Sequence, residues 1–401
     1  MVNTVPNLGV MALEDDGRVD FARLRRQRRQ RVLDAMAERD FDVLILGREA
    51  NARYATGARR LWMSGTRPFA PGCVLVHANG SVHLLNNWDE GIPTEIPRDH
   101  LFGLSWNPVT YVERLKGIPG LTSARRIGVD AMTPLWRQLL GLVAPAAELR
   151  DAQAMLLELR MRKSAEELRC IRTAVAIAEA SLAAAIDALR PGIRERTLLG
   201  AFNRRMTAYG ITAPSMEGTF CAIEPGPVGS RARVRRLTSD RHIDAGALVA
   251  LSGGVLYAGY EGAVGRTWPC IGPGTGMAAV RAEHRDLRRR WTAVWNRVAD
   301  RCRPGATGDD LRAAYEASGE TLPPFPIAYS VGIGYEAPIA GSSLGPIFDR
   351  RWRLEPGMVL GVQAYVAGSA GGYFGLETVL ITPDGHEVLS SLSHGPLLEA
   401  D

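Results

Sequence analysis

The sequence predicts a two-domain protein of the α+β class: an α/β domain over residues 1–155 and an α+β domain over residues 156–401. Three observations carry this. Helical and strand patterns alternate through the first third, as in a chain that lays helices on a sheet. Near residue 150 the alternation gives way to one long alanine-rich helical run. From Gly218 onward strand patterns dominate, interrupted by two helices, so helices and antiparallel strands are segregated along the second domain.

In chain order, a helix is expected near Phe21 to Arg39, followed by the apolar strand FDVLILG from Phe41 to Gly47. GCVLVHANGSVHLLNN places Asn79-Gly80 between two apolar runs, a hairpin signal because both residue types tolerate positive φ. The strand RRIGVDA and a helix from Pro134 to Val143 complete the first domain. The second opens on a capping box, Ser164 with Glu167 three residues on, and its helix stops at Pro191-Gly192. A helix over Glu195 to Ala208 follows. Strands are expected near Ala247 to Leu251, Leu256 to Tyr260, Val359 to Ala367 and Thr378 to Thr382, with helices from Met277 to Asp300 and from Gly308 to Ser318. The glycine-rich segments at Gly272 and Gly368 read as turns, since neither is a strand followed by a phosphate-loop lysine.

Bulk properties exclude several classes. No apolar run approaches the roughly 20 residues of a membrane span, and the start lacks a basic segment followed by an apolar one, so a cytoplasmic protein without membrane association is expected. The five cysteines (Cys73, Cys170, Cys221, Cys270, Cys302) are odd in number and never spaced as CxxC, which argues against a disulfide framework or a structural zinc site. The net charge of +5, almost all from arginine, is too small to imply nucleic acid. The run RLRRQRRQR, Arg23 to Arg31, reads as the solvated face of an amphipathic helix, because no aromatic residues interleave it for base stacking.

Four stretches of the second domain carry more information. LRMRKSAEELRCIRTAVAIAEASL, DAGALVALSGGVLYAGYEGAVGRTW, YSVGIGYEAP at Tyr329, and LEPGMVLGVQAYV with GLETVLITPDG occur in that order. Together they resemble the entry helix, metal hairpin, GHGIG segment and LEPGM strands of the pita-bread family, which includes creatinase, prolidase, aminopeptidase P and methionine aminopeptidase. NARYATGARRLW at Asn51 is similar to the NxxYLTG segment of the creatinase-type amino-terminal domain. The resemblance thus implies a creatinase-like α/β domain followed by a pita-bread domain. The segments near Asn51 and Leu354 look most similar to the dimethylsulfoniopropionate-lyase-like branch. Creatinase-type members commonly pair, so the resemblance also implies a homodimer.

In this family two divalent metals are held by two aspartates, a histidine and two glutamates. Carried over position by position, these fall on Ser252, Ala263, Val331, Gln363 and Leu376. A two-metal centre is therefore not expected, and no metal or other cofactor is expected. Glu377 adjoins the last position, but neighbouring strand residues face opposite ways, so Leu376 and Glu377 cannot both enter the cleft. Creatinase resembles this case, since it uses no metal and hydrolyses a C–N bond with a histidine base and guanidinium-holding glutamates. Here arginines occupy the histidine's region, His242 reads as a surface or packing residue, and Gly265 and Gln363 replace the glutamates. Creatine hydrolysis is not supported.

Without metal, chemistry needs a positioned acid or base and a group that steadies developing charge. The catalytic candidates are Glu261, Glu336, Glu377 and Tyr260, with Tyr365 and Tyr373 also placed on the cleft side. Each has a bland rival: Glu261 at a solvated strand end, Glu336 paired with an arginine, the tyrosines in the core. Arg233, Arg235 and Arg236, with Gln363 and Tyr365, are the substrate-binding candidates, because an arginine fork suits a carboxylate or phosphate. The expected function is that of a metal-independent enzyme of C–N hydrolysis or elimination type, a hydrolase or lyase acting on a small polar or anionic molecule. The alternatives are a pseudoenzyme that keeps the cleft for binding, and a peptidase-like Xaa-Pro metallohydrolase.

Overall fold

Asp20 caps the first helix, α1 (Phe21–Glu38), its carboxylate accepting from the Arg23 amide at 2.8 Å. The run expected to be solvated is instead largely engaged. Arg28 is buried, with its guanidinium 5.5 Å from the Tyr54 ring centroid, and Arg25 meets the carboxylates of Glu14 and Glu95 at 2.6 Å and 2.8 Å. Long arginine stems cover apolar surface while their heads find anions or rings, so a basic run need not face water. The computed structural model describes residues 13–14, 16–59, 72–86, 89–103, 107–223, 237–272, 280–334, 336–341, 352–369 and 371–395. They fall into two units, Met1–Arg160 and Met161–Asp401.

After α1 the first unit runs β1 (Val43–Leu46), α2 (Glu49–Thr56), β2 (Cys73–Val76), β3 (Val82–Leu85), β4 (Leu101–Phe102), α3 (Pro108–Lys116), β5 (Arg126–Val129), α4 (Pro134–Val143) and β6 (Glu148–Asp151). The sheet order is β4-β3-β2-β1-β5-β6, with β1 antiparallel to β2 and parallel to β5. The β2–β3 hairpin turns where Asn79-Gly80 predicts: Gly80 has φ 65° and the Asn79 side chain accepts from the Ser81 amide. The central strands β1 and β2 are buried throughout, which fits their unbroken Val/Leu/Ile composition. Asn51 of the NxxY-like segment is buried and donates to Asp130 at 2.7 Å. It ties α2 to the strand end after β5. α5 (Gln153–Met161) runs to the division between the units.

The second unit opens on α6 (Ala165–Asp187), whose capping box forms as expected: Ser164 Oγ accepts from the Glu167 amide and Glu167 from the Ser164 amide. Then come α7 (Glu195–Ala208), β7 (Thr219–Ala222), β8 (Leu248–Tyr257), β9 (Tyr260–Pro269), α8 (Ala282–Ala299), α9 (Gly308–Glu316), β10 (Ala328–Ser330), β11 (Glu336–Ala340), β12 (Val359–Gly368), β13 (Gly371–Thr382) and β14 (Gly385–Val388). The sheet order is β11-β10-β12-β13-β9-β8-β7, with β14 paired to β13. Among the described residues no helix is long and apolar enough to cross a membrane.

Where the sequence suggests two strands, Ala247 to Leu251 and Leu256 to Tyr260, the structure has one long hairpin, β8 and β9, turning at Ala258-Gly259 with φ 54° and 85°. The glycines inside it give close approach rather than turns. A Cβ on Gly253 would lie 2.7 Å from the Phe202 ring, and one on Gly262 would lie 2.3 Å from the α6 backbone. Gly262 thus lets α6 press against one face of the sheet, and residues 261 and 263 face the other way. Further along, Trp291 of α8 packs into the space above Gly375 and donates its indole N–H to the Ala364 carbonyl at 3.0 Å.

Candidate active site

On the face of the sheet away from α6, the β8–β9 hairpin, the residues before β7 and the segment around β10 enclose a cavity of about 580 Å³. Ser215, Glu217, Glu261, Tyr329, Ser330 and Gln363 bring polar atoms to its wall. The Ser215 loop is held as an extra strand would be: Pro214 bridges Val255, and the Ser215 amide donates to the Gly254 carbonyl at 3.0 Å. A Cβ on Gly254 would lie 2.2 Å from Ser215 Oγ, so glycine there makes room for the hydroxyl.

That hydroxyl donates to Glu261 Oε1 at 3.2 Å. The Glu261 amide donates to the Gly332 carbonyl at 2.9 Å, tying the start of β9 to the GIG segment. Although the cavity leaves Glu261 partly accessible, protein surrounds its carboxyl on most sides. Burial pushes the carboxyl up to about 7; the Ser215 hydrogen bond opposes the rise and the negative charge of Glu336 adds to it. An acid poised near neutrality can both take and give a proton.

Glu336 is spoken for. Its carboxylate meets Lys163 Nζ at 3.0 Å and accepts from the Ile333 amide at 3.2 Å, and both side chains of the pair are 1% exposed. Lys163 also donates to the Met161 carbonyl at 3.1 Å and to Ser330 Oγ at 3.3 Å. Gly332 leaves the Glu336 carboxylate its place, since a Cβ there would lie 2.5 Å from it. Lys163 is one of only two lysines in the chain. A compact ammonium serves this enclosed corner, where a planar guanidinium would need more room.

The five positions matched to metal ligands divide into two groups. Ala263 and Leu376 belong to a buried apolar cluster with Phe325, Tyr365 and Phe374. Val331 is fully buried, and its amide donates to the Val359 carbonyl. Ser252 is buried with no hydrogen-bond partner for its hydroxyl among the described residues, and Gln363 reaches the cavity wall with its amide nitrogen donating to the Pro326 carbonyl. Two hard cations need several anionic oxygens, and this set supplies a neutral hydroxyl and a neutral amide. The residues present do not fit a two-metal centre. Among the described residues no three His, Cys, Asp or Glu side chains gather as metal ligands would.

The remaining candidates are dispersed. Tyr260 points to the α6 side, where its hydroxyl donates to Glu167 at 2.8 Å. Glu377 also lies on the face opposite Leu376, held by Arg266 at 3.1 Å and by Ser390 and His394. Tyr260 and Glu377 therefore do not join Glu261 in the cavity: strand neighbours alternate, so Glu261 and Leu376 take the cleft side. Tyr365 packs within the apolar cluster, its phenol pushed up to about 12 by burial, and Tyr373 donates to the His394 carbonyl at 2.9 Å. Arg233, Arg235 and Arg236 lie outside the described residues. His242 is exposed, its Nδ1 2.7 Å from the Gly192 carbonyl. Ser215, Ser330 and Lys163 escape a reading of the sequence, although Lys163 stands inside the stretch LRMRKSAEELR that resembles the family's entry helix. Ser215 could have been found through Gly253-Gly254, a pair that signals close approach next to the strand.

Residues 28–162 match the creatinase/prolidase N-terminal domain, and residues 169–383, more than half of the chain, match metallopeptidase family M24. The chain belongs to metallopeptidase family M24. This M24 chain is 24% identical over 388 residues to creatinase of Bacillus sp. (strain B-0618), covering 92% of this chain and 91% of that protein. It is 22% identical over 243 residues to an Xaa-Pro dipeptidase of Pyrococcus horikoshii, covering 59% of this chain and 62% of that protein. Its fold is shared with the X-Pro aminopeptidase of Thermotoga maritima at TM-score 0.73 and 15% identity, over 92% of this chain and 98% of that one. The prolidase of Pyrococcus horikoshii OT3 superposes at TM-score 0.70 and 19% identity, over 92% and 99%. The two-domain architecture, with a pita-bread C-terminal domain, is thus that of creatinase and prolidase.

Proposed function

We propose that this M24 chain is a metal-independent enzyme that acts on a small polar molecule, by C–N hydrolysis or elimination, with Glu261 as general acid and base. The observation that carries the reading is the placement of Glu261: its carboxyl, raised to about 7, opens into a cavity of about 580 Å³, while Ala263 and Leu376, two of the positions matched to metal ligands, lie in an apolar cluster. A substrate proton within reach of Glu261 can be taken at neutral pH and returned to a leaving group. The described wall carries the carboxylates of Glu217 and Glu261, so the preference for an anionic ligand expected from the sequence rests on Arg233, Arg235 and Arg236. A homodimer is part of the proposal by family likeness, checked by light scattering.

Binding without catalysis is the second reading, favoured by the apolar cluster of Leu376, Phe325 and Phe374, which packs against the cavity-lining Met216 and Tyr329. Metal titration together with a screen of small amides, ureas and betaines tests the proposal. Added manganese, zinc or iron should leave the melting temperature unchanged, whereas a metal whose Kd lies 100-fold below its working concentration would add about 2.7 kcal/mol of stability and raise it. Turnover that survives chelation and falls roughly 100-fold or more in Glu261→Gln supports the enzyme. A tightly held stoichiometric metal would overturn it, and substrate binding without turnover would favour the second reading.

A further inference from the structure

We infer that Ser215 is a nucleophile and Glu261 its base, so that the cavity transfers the acyl group of a small amide through a covalent serine ester. The inference rests on Glu261 acting as general base, and it narrows the reaction to acyl transfer.

Four observations support it. Ser215 Oγ lines the cavity and donates its proton to Glu261 Oε1 at 3.2 Å, the nucleophile–base contact that activated hydroxyls require. The Ser215 backbone is fixed, by the bridge at Pro214 and by its amide on the Gly254 carbonyl, and the missing side chain at Gly254 leaves the hydroxyl its position. The base is itself fixed through its own amide on Gly332. Behind it, Lys163 satisfies Glu336, so Glu261 is the carboxylate facing Ser215.

The step balances without a cofactor. Ser215 Oγ passes its proton to Glu261 as the Oγ–C bond forms on the amide carbonyl. The C–N bond then breaks and the amine leaves with the proton from Glu261. A water molecule, deprotonated by Glu261, attacks the serine ester; the acid is released and Ser215 regains its proton. The sum is amide plus water to acid plus amine. Solvent reaches Glu261 through the cavity, so the second half-reaction has its water.

The test uses the full chain and a small alkyl fluorophosphonate, which phosphonylates activated serines, followed by intact-mass and peptide mass spectrometry. One adduct per chain on Ser215 is expected, at a rate that rises with pH through a midpoint near 7, falls roughly 100-fold or more in Glu261→Gln and vanishes in Ser215→Ala. The wild-type result stands whether or not the variants fold, and melting curves check that they do. No adduct on Ser215 at millimolar probe, or an equal rate in Glu261→Gln, overturns the inference. A carboxyl ¹³C titration of Glu261 separates the two proposals. A midpoint near 7 without labelling leaves the general base standing and removes the nucleophile, whereas a midpoint at the ordinary carboxylate value removes both.

Discussion

Glu261 shows how much one side chain's surroundings decide. Burial raises its carboxyl to about 7, so between the ordinary carboxylate range and pH 7 the folded chain holds a proton that the unfolded chain has lost. Stability from this group therefore falls as pH rises through that window. Glu261→Gln removes the dependence: the variant's stability minus that of the wild type should grow from pH 5 to pH 8 and then level off. Each tenfold change in proton affinity is worth about 1.4 kcal/mol, and solvent in the cavity reduces the yield, so a difference of order 2 kcal/mol is expected from urea unfolding at a series of pH values. A flat difference would show that the carboxyl titrates normally. Lys163 gives the complementary case. Lys163→Met leaves Glu336 buried without its cation, at a cost of about 3–5 kcal/mol, and much of that loss should be recovered when Glu336→Gln is added. A loss below about 1 kcal/mol would mean that backbone donors alone satisfy Glu336.

At the scale of elements, the segment after β14 behaves as a strap across the α6 side of the sheet. Arg266 of β9 donates to the Leu392 carbonyl at 2.7 Å, Tyr373 of β13 donates to the His394 carbonyl at 2.9 Å, and Glu179 of α6 accepts from the Ser391 and Leu392 amides. His394 packs against Trp291 with the rings tilted by 42° and their centroids 4.5 Å apart, and it pairs with Glu377, with Arg266 and Arg288 as the nearby cations. Burial lowers the His394 imidazole below its ordinary value, with Arg266 and Arg288 adding to the effect and Glu377 opposing it. Burial alone would raise Glu377, but His394, Arg266 and Ser390 outweigh it and hold it below the usual carboxylate value. Both groups then contribute stability that is complete above the histidine range and declines as pH falls, first as His394 is forced to charge and then as Glu377 is forced to protonate. The protection of amides in residues 389–395, taken relative to their intrinsic exchange rate at each pH, should therefore fall from pH 7.5 to pH 5 more than in β8, and His394→Gln should flatten the first part of that fall. The same network shows why Glu377 misleads in the sequence. It adjoins a site position, but strand alternation turns it to the strap.

For the molecule as a whole, the features legible in the sequence are those written locally. Caps, turn residues, glycines at close approaches and the order of motifs identify the pita-bread domain and the creatinase-like domain before any coordinates, because each depends on a few adjacent residues. The alternation rule also anticipates that Leu376 and Glu377 face opposite ways. It leaves open which of Tyr260 and Glu261 faces the cleft, and α6 decides that by pressing on Gly262. The cavity and the ion pair behind it are assembled from segments far apart in the chain: Lys163 and Glu336 are 173 residues apart and Ser215 and Glu261 are 46 apart. No local pattern encodes such pairs. The arginine run of α1 has the same origin, since its partners Tyr54 and Glu95 lie in other parts of the chain.

Ala263 and Leu376, packed with Phe325, Tyr365 and Phe374, bear on which substitutions this chain can absorb. A carboxylate placed at Ala263 alone would enter an apolar cluster without a counter-ion, at a cost of at least a few kcal/mol, and a metal would still lack its other ligands. Ala263→Asp should thus lower the melting temperature by several degrees and gain no affinity for manganese, measured by calorimetry. Leu376→Glu meets the same penalty, whereas Ser252 and Gln363 already carry polar side chains, so the packed cluster closes two of the five positions to a carboxylate and leaves the polar ones open to substitution.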